Sequence, residues 1–405
     1  MSAPVAVIAA GVRTPAGNTV DEVWESVRQA RTFAQLFRND RLPADVQVLA
    51  CRVPPFDVGR YLNVTDARRA DRTSLLAIAA AADAMSAVVE RPPPERCAIV
   101  CGTGFGSTAT IEEQMSRFAQ RGLRAVSPLA IPVMMPNNAA SLLSMRFGFK
   151  GPCHTISTAC ASGASAVGEA MEMLRRKAAD LVLAGGVDSM VTASGLAGFL
   201  RLDAMSRNVD HPDLASRPFD KDRDGFVMGE GAAFVVLERH SDAVRNGRDI
   251  LGVAVGYGAC ADAHHLVAPS PDGEGALRCM RLALADAGVA PSEVNHVNAH
   301  GTSTLANDLA EATALSELFG GYCPPVTAVK GTTGHMIAAS GALEAILTLR
   351  SLRECVVPPT AGLRAVDPDV HLDLVVGTPR PIGAGFGITN AFGFGGANAV
   401  LILSA

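Results

Sequence analysis

Short β-branched runs alternate with longer Ala/Leu-rich segments along the whole chain, and this alternation restricts the folds open to it. VAVIAAG (5–11), CAIVCGTG (97–104), LVLAGGVD (181–188) and AAFVVLER (232–239) read as strands, and residues 71–88 and 164–178 as helices. The second half repeats the style, with LGVAVGYGA (251–259), VNHVNAHG (294–301), HLDLVVG (371–377) and ANAVLILSA (397–405) as strands and 274–288, 305–320 and 340–354 as helices. Strand–helix alternation predicts α/β sheets covered by helices. At 405 residues the chain exceeds the size that one hydrophobic core usually serves, so a duplicated unit or two domains is expected. The join falls near 240–250, where no Pro-rich or Ser-rich linker stands. Two halves packed on one another, 1–245 and 246–405, are therefore expected.

Charge and cysteine usage exclude several function classes. The net charge is −5, whereas a nucleic-acid binder is usually basic. Nine cysteines occur at irregular spacings with no CxxC pair, which excludes the common zinc and redox-dithiol patterns. Most sit in apolar runs such as CAIVC (97–101) and read as small core residues of a protein in a reducing compartment. The N-terminal stretch MSAPVAVIAAGVRTPAG lacks a basic segment and breaks at Gly and Pro, so it reads as a first strand, not a signal peptide. No apolar run reaches the roughly 18 residues of a membrane span, and a cytoplasmic location is expected.

Four stretches carry candidate chemistry. In ISTACASG (156–163), Cys160 is set among small residues just before a helical pattern. A helix N-terminus favours thiolate, and small neighbours allow close approach; a buried structural cysteine is the alternative. In VNAHGTST (297–304), His300 ends a strand run, a common catalytic position in open α/β sheets, although a core histidine fits as well. In AVKGTTGHMIAASGALEA (328–345), Lys330 follows a strand run, His335 opens a small-residue helix, and Glu344 lies nine residues on. The glycine-rich TNAFGFGGANAVLIL (389–403) exposes backbone N–H groups that suit half an oxyanion hole, or forms a plain tight hairpin. Weaker matches fail: GTGFGS (102–107) is not a full GxGxxG, GASAVG (163–168) has no strand elbow before its serine, and His264–His265 and DKDRDG (220–225) lack metal-ligand spacing. The DKDRDG run reads as a solvated turn with ion pairs.

Together, TACASG, NAHGTST, KGTTGH and NAFGFGGAN, in this order, resemble the β-ketoacyl-ACP synthase family of the thiolase superfamily. SRPFDKDRDGFVMGEGAAFVVLE (216–238) and GVRTPAGN (11–18) extend the resemblance over nearly the whole chain. It implies a five-layered αβαβα fold from two duplicated halves. It also implies a Cys-His-His set at Cys160, His300 and His335, with Lys330 tuning the histidines and paired to Glu344. The late glycine loop carries no second cysteine, unlike thiolases. Asparagine does not replace the second histidine, unlike initiating synthases, and Cys160 is not lost, unlike chain-length-factor subunits. An elongating enzyme, in fatty-acid or type II polyketide synthesis, is the expectation. A non-catalytic partner subunit of a ketosynthase heterodimer is the alternative, and a decarboxylating initiator a third.

The same resemblance assigns finer roles. Cys160 is the acyl acceptor, and the N–H groups of Cys160 and Phe394, with Gly395 beside them, form an oxyanion hole and gate. Thr302 and Thr304 contact the phosphopantetheine arm of an acyl carrier protein, and no bound cofactor or metal is implied. Phe199, Phe105 and Ala130 belong to the acyl pocket, Phe105 at its base near a dimer interface, and Asn398 anchors the glycine loop. Arg68, Arg69, Arg72 and Arg124 are candidates for docking an acidic carrier. Asp203 and Val267 stand where such enzymes often carry Arg and Thr. The partners implied are the carrier protein and a second subunit, identical or chain-length-factor-like.

Overall fold

The computed structural model describes residues 3–405. Ten strands form its central framework: β1 (Val5–Arg13), β2 (Cys97–Gly102), β3 (Cys153–Ile156), β4 (Leu181–Ser189), β5 (Met228–Arg239), β6 (Gly252–Ala261), β7 (Val294–Asn298), β8 (Val326–Thr327), β9 (Phe386–Gly393) and β10 (Ala397–Ser404). They run in the order β8-β7-β9-β10-β6-β1-β5-β4-β2-β3. Read inward from either end, the pairings are the same: two parallel, then two antiparallel. This repeat of topology is the structural form of the repeated strand–helix style. The two five-strand sets meet where Val5, Ala6 and Val7 of β1 pair antiparallel with Ala254, Val253 and Gly252 of β6.

Helices complete five layers. α1 (Arg72–Ser86), with α2 (Asn138–Phe147) packed beside it, covers β1, β5 and β4 on one outer side. α4 (Glu274–Ala287) and α5 (Leu305–Phe319) cover the second set on the other. Between the sets lie α3 (Ser162–Arg175) and α6 (Ala338–Glu354), packed against each other and against strands of both. α6 is apolar or small-residued around almost its whole circumference, and a helix of that kind is stable only when surrounded. β4 reads as a continuous apolar run because both its faces are covered, and every one of its residues is buried.

The segment 371–377, expected as a strand, makes only one bridge, Leu374 to Val326. Its neighbour β8 is two residues long, too short to extend a ladder, and Gly377 turns the chain away at φ +73°. Residues 220–225 form the expected turn with ion pairs, but only Lys221, Asp222 and Asp224 are exposed. Asp220 is buried and accepts the N–H groups of Asp222, Arg364 and Ala365, while Arg223 is buried between Asp308 and Asp367. Of the cysteines outside the site, Cys51, Cys97, Cys101 and Cys279 are buried, but Cys153 and Cys355 are exposed. The expected N-terminal strand is β1; Met1 and Ser2 lie outside the described residues.

His296 on β7 is wholly buried, and neither ring nitrogen has a hydrogen-bond partner. Burial pushes its pKa down to about 3. The folded protein therefore holds it neutral, while the unfolded chain protonates it below about pH 6.5. A base with a depressed folded pKa contributes stability that is present above its unfolded pKa and lost as pH falls towards the folded one. Over about 1.5 pH units below 6.5 that loss is roughly 2 kcal/mol. Urea unfolding of His296→Leu should accordingly lose about 2 kcal/mol less than wild type between pH 7.5 and 5; equal losses would show that His296 does not drive the acid response.

Candidate active site

Cys160 lies in a short turn, Ala159–Ala161, between the end of β3 and the start of α3. The preceding Ala159 takes φ +50°, and Ser162 brackets it by donating to its carbonyl while accepting the Thr158 N–H. The strand–turn–helix elbow rejected for the serine at 165 thus exists and carries the cysteine. The hairpin between β9 and β10 closes over this turn. A side chain at Gly393 would put its Cβ 2.5 Å from the Thr158 carbonyl, so only glycine lets the hairpin approach. The N–H groups of Phe394 and of Cys160 itself both bear on the sulfur. Gly395 does not share in this: its N–H is spent on the Leu266 carbonyl at 2.8 Å, with φ +81°.

The expected thiolate is not the resting form. Burial pushes the Cys160 thiol up to about 11, against the lowering effects of the Lys330 charge and the two N–H groups. The helix terminus does not overcome desolvation. What lies beside the thiol is a base: His335 Nε2 is 3.0 Å from Cys160 Sγ. Burial first, then the Lys330 charge, holds His335 well below the usual histidine range, so it is neutral near pH 7. Its Nδ1 faces Ser340 Oγ at 3.4 Å, an oxygen that also accepts the Met336 N–H. With the ring proton on Nδ1, the Nε2 lone pair is free to take the thiol proton.

His300 has the opposite tautomer, and Lys330 sets it. An ammonium has three donors and no acceptor. Three acceptors surround Lys330 Nζ: Glu344 Oε1 at 2.5 Å, the His300 carbonyl at 2.5 Å and His300 Nδ1 at 3.3 Å. His300 Nδ1 must therefore accept, which leaves its proton on Nε2. Burial, the Lys330 charge and His335 together keep His300 neutral as well. The two imidazoles stand edge to face, ring centroids 5.6 Å apart, with Phe226 against His335 and Phe392 against His300. One presents a lone pair and the other an N–H within one apolar frame.

Two buried carboxylates that sequence reasoning passed over hold the His300 loop. Glu311 accepts the N–H groups of His300 and Gly301, both at 2.8 Å, and the Asn390 side chain at 3.0 Å. Asp308 accepts Thr302 N–H at 3.0 Å, Ser303 N–H at 3.2 Å and Phe219 N–H at 2.9 Å. The available signal was two acids three residues apart on the apolar side of LANDLAEATAL (305–315). An acid on the buried face of a helix needs donors, and the preceding loop supplies them.

A cavity of about 340 Å³ opens onto these groups. Cys160, His300 and His335 line it with Phe199, Phe226 and Phe394, and Thr302, Thr304, Val267, Asp203 and Asn398 are among its other lining residues. The two threonine hydroxyls are 2.9 Å apart. Asn398 Nδ2 donates to Asp262 Oδ1 at 2.6 Å and so ties the hairpin to the end of β6. Asp203 pairs with Arg207. Phe105 and Ala130 do not line this cavity. Phe105 is 44% exposed and its ring meets the edge of the cavity-lining Phe199, with centroids 6.1 Å apart, whereas Ala130 is buried in another segment. Arg72 is not free to dock a carrier: it is paired with buried Glu230 at 2.7 Å and also reaches the Val53 carbonyl. Arg68, Arg69 and Arg124 remain exposed.

Comparison with known proteins agrees with this geometry. A family model described as Beta-ketoacyl synthase, N-terminal domain, matches residues 2–243, and one described as Beta-ketoacyl synthase, C-terminal domain, matches 251–364. A 3-oxoacyl-[acyl-carrier-protein] synthase 2 from a Synechocystis species is 38% identical over 98% of this chain and 97% of its own. Among solved structures, the ishigamide ketosynthase/chain length factor superposes with a TM-score of 0.92 at 32% identity, covering both chains in full. A type II polyketide ketosynthase, solved bound to the hexaketide and in complex with its acyl-carrier protein, also gives 0.92, at 27% identity and full coverage of both chains. The five layers are the thiolase-like fold of these ketosynthases. With both domain models matched in order and a relative of this identity spanning its length, the chain belongs to the β-ketoacyl synthase family.

Proposed function

We propose that the chain is a β-ketoacyl-[acyl-carrier-protein] synthase that condenses a malonyl unit with an acyl chain held on Cys160. The observation that carries this reading is the thiol 3.0 Å from a neutral His335 Nε2, beneath two backbone N–H groups, in a cavity that a second imidazole also lines. In the first half-reaction His335 takes the thiol proton as sulfur attacks the thioester of an acyl carrier. The Cys160 and Phe394 N–H groups stabilise the oxyanion. The tetrahedral intermediate expels the carrier thiol, which leaves with that proton. In the second, the malonyl carboxyl leaves as CO₂ and its electron pair passes to the enolate oxygen, where His300 Nε2–H donates. The enolate carbon then attacks the acyl thioester, forming the C–C bond and releasing the Cys160 sulfur, which regains a proton from solvent. The phosphopantetheine arm, threaded past Thr302 and Thr304, is part of the substrate, and the reaction is written without metal or redox group.

The intact Cys160–His335 pair favours this reading over a non-catalytic partner subunit. Fatty-acid or type II polyketide synthesis is the setting, in the cytoplasm, and the division into halves at 245/246 belongs to the same proposal. A second ketosynthase-fold subunit, the same chain or a chain-length-factor-like relative, fits one face. Between Phe105 and Met145 eight large apolar side chains are exposed, Leu123 at 79%, Met145 at 70% and Ile131 at 67% among them, and β3 ends the sheet with its outer edge unpaired. Arg68, Arg69 and Arg124 remain the candidates for the acidic carrier. No helix of the described residues is long and apolar enough to cross a membrane. Purified protein given acyl-carrier and malonyl-carrier thioesters should yield β-ketoacyl-carrier and CO₂. Neither product, with or without a co-expressed relative, would sink the proposal, and the preferred acyl length would separate the two pathways.

A further inference from the structure

We propose that Asp188 is a positioning residue for the Cys160–His335 pair, an inference that rests on the ketosynthase reading above. Asp188 sits on β4 and is wholly buried. Its carboxylate accepts four hydrogen bonds: from Thr103 Oγ1 at 2.8 Å, Gly104 N–H at 2.8 Å, Phe105 N–H at 3.2 Å and Ala338 N–H at 3.0 Å. All four partners are neutral. A buried carboxylate without a cation opposes its own ionisation, and burial raises this one to about 6. Four converging donors are what keep it anionic near neutral pH. Packing alone would be served by an apolar side chain, so the reason for an acid lies in what the acid ties together.

It ties the two sides of the nucleophile. Ala338 opens α6, immediately after the strained Ile337, which takes φ +51° and ψ −113°. A β-branched residue rarely adopts that conformation unless its surroundings enforce it. Ile337 in turn follows His335 by two residues, so its backbone helps set where the His335 ring stands. The Ala338 peptide is gripped at both ends. Its N–H is on Asp188, and its carbonyl lies where a Cβ at Gly163 or at Gly186 would come within 2.1 Å. Gly163 lies three residues after Cys160, at the start of α3. One carboxylate and one carbonyl therefore fix the His335 segment against the Cys160 helix. The remaining donors come from the Thr103–Phe105 turn, whose Phe105 ring meets the cavity-lining Phe199. Asp188 does not itself line the cavity; it acts through the segments it holds. Its charge also opposes ionisation of Cys160, which keeps the proton on sulfur until His335 takes it.

The test is the acylation kinetics of full-length Asp188→Asn with an acyl-carrier thioester, followed by intact mass beside wild type. Asparagine keeps the shape but offers one acceptor oxygen, and its amide opposes N–H groups. The maximal rate should fall about 10- to 100-fold, the scale of lost hydrogen bonds to a buried charge. The KM for the acyl carrier should stay within about twofold, because no cavity contact is removed. A merely structural role would not give that split in protein that still unfolds cooperatively. Should Asp188→Asn fail to fold, Thr103→Val removes a single donor and should lower the maximal rate about 3- to 10-fold at unchanged KM. An unchanged maximal rate in the folded variants, or a change confined to KM, overturns the proposal. Wild type that is never acylated overturns the ketosynthase reading itself and this inference with it, and is told apart by the wild-type arm alone.

Discussion

Cys160→Ala gains no mass on incubation with acyl-carrier thioesters, whereas the wild-type protein gains one acyl group. The expected loss is at least about 1,000-fold in acylation rate, because the residue that splits the reaction into two steps is gone. His335→Ala should retain acylation at a rate lowered about 100- to 1,000-fold, the scale of general-base assistance by the imidazole beside the sulfur. The pH dependence distinguishes this assisted thiol from a free thiolate. A thiol raised to about 11 and reacting only when spontaneously ionised would accelerate about tenfold per pH unit between 7.5 and 9.5. Proton transfer to a neutral His335, itself titrating well below 6.5, predicts less than about a twofold rise over that range. A steep rise would mean that His335 does not act on the thiol, and a persistent mass gain in Cys160→Ala would move the nucleophile elsewhere.

Strand–helix alternation made the layered fold legible because most of the strand runs are buried on both faces and helices close over them. It misled at 371–377, where apolar residues pack without a partner long enough to make a ladder. The site was legible where chemistry leaves a local mark: small residues around Cys160, a histidine at the end of β7, glycines where the hairpin approaches Thr158. It was not legible where the partners are distant in sequence. Asp188 meets Ala338 across 150 residues, and Arg223 meets Asp367 across 144. No spacing announces such pairs. Arg72 shows the converse: a basic residue in a basic run reads as surface, yet Glu230 of β5 claims it at the start of α1. The thiolate expectation failed for a physical reason. A helix terminus contributes at most a kcal/mol or so at a surface, and complete burial of a thiol outweighs it.

Lys330→Met should separate stability from catalysis in one residue. Lys330 and Glu344 are 0% and 1% exposed, and their pair carries no other cation. Removing the lysine leaves a buried carboxylate alone, a loss of about 3–5 kcal/mol in other buried pairs. Burial already raises Glu344, and only Lys330 opposes that rise. Adding Glu344→Leu to Lys330→Met removes the orphan charge, so urea unfolding of the double variant should return to within about 1 kcal/mol of wild type. Activity should not return. Without three donors at Nζ, nothing obliges His300 Nδ1 to accept, and the ring proton is no longer fixed on Nε2, where the enolate needs it. Release of CO₂ from malonyl-carrier should remain down about 100-fold or more in both variants, the scale of one lost donor at a developing oxyanion. Acylation of Cys160, which relies on His335, should fall far less in the double variant. Recovery of CO₂ release together with stability would show that Lys330 serves the fold alone, and that the His300 tautomer is set by some other group.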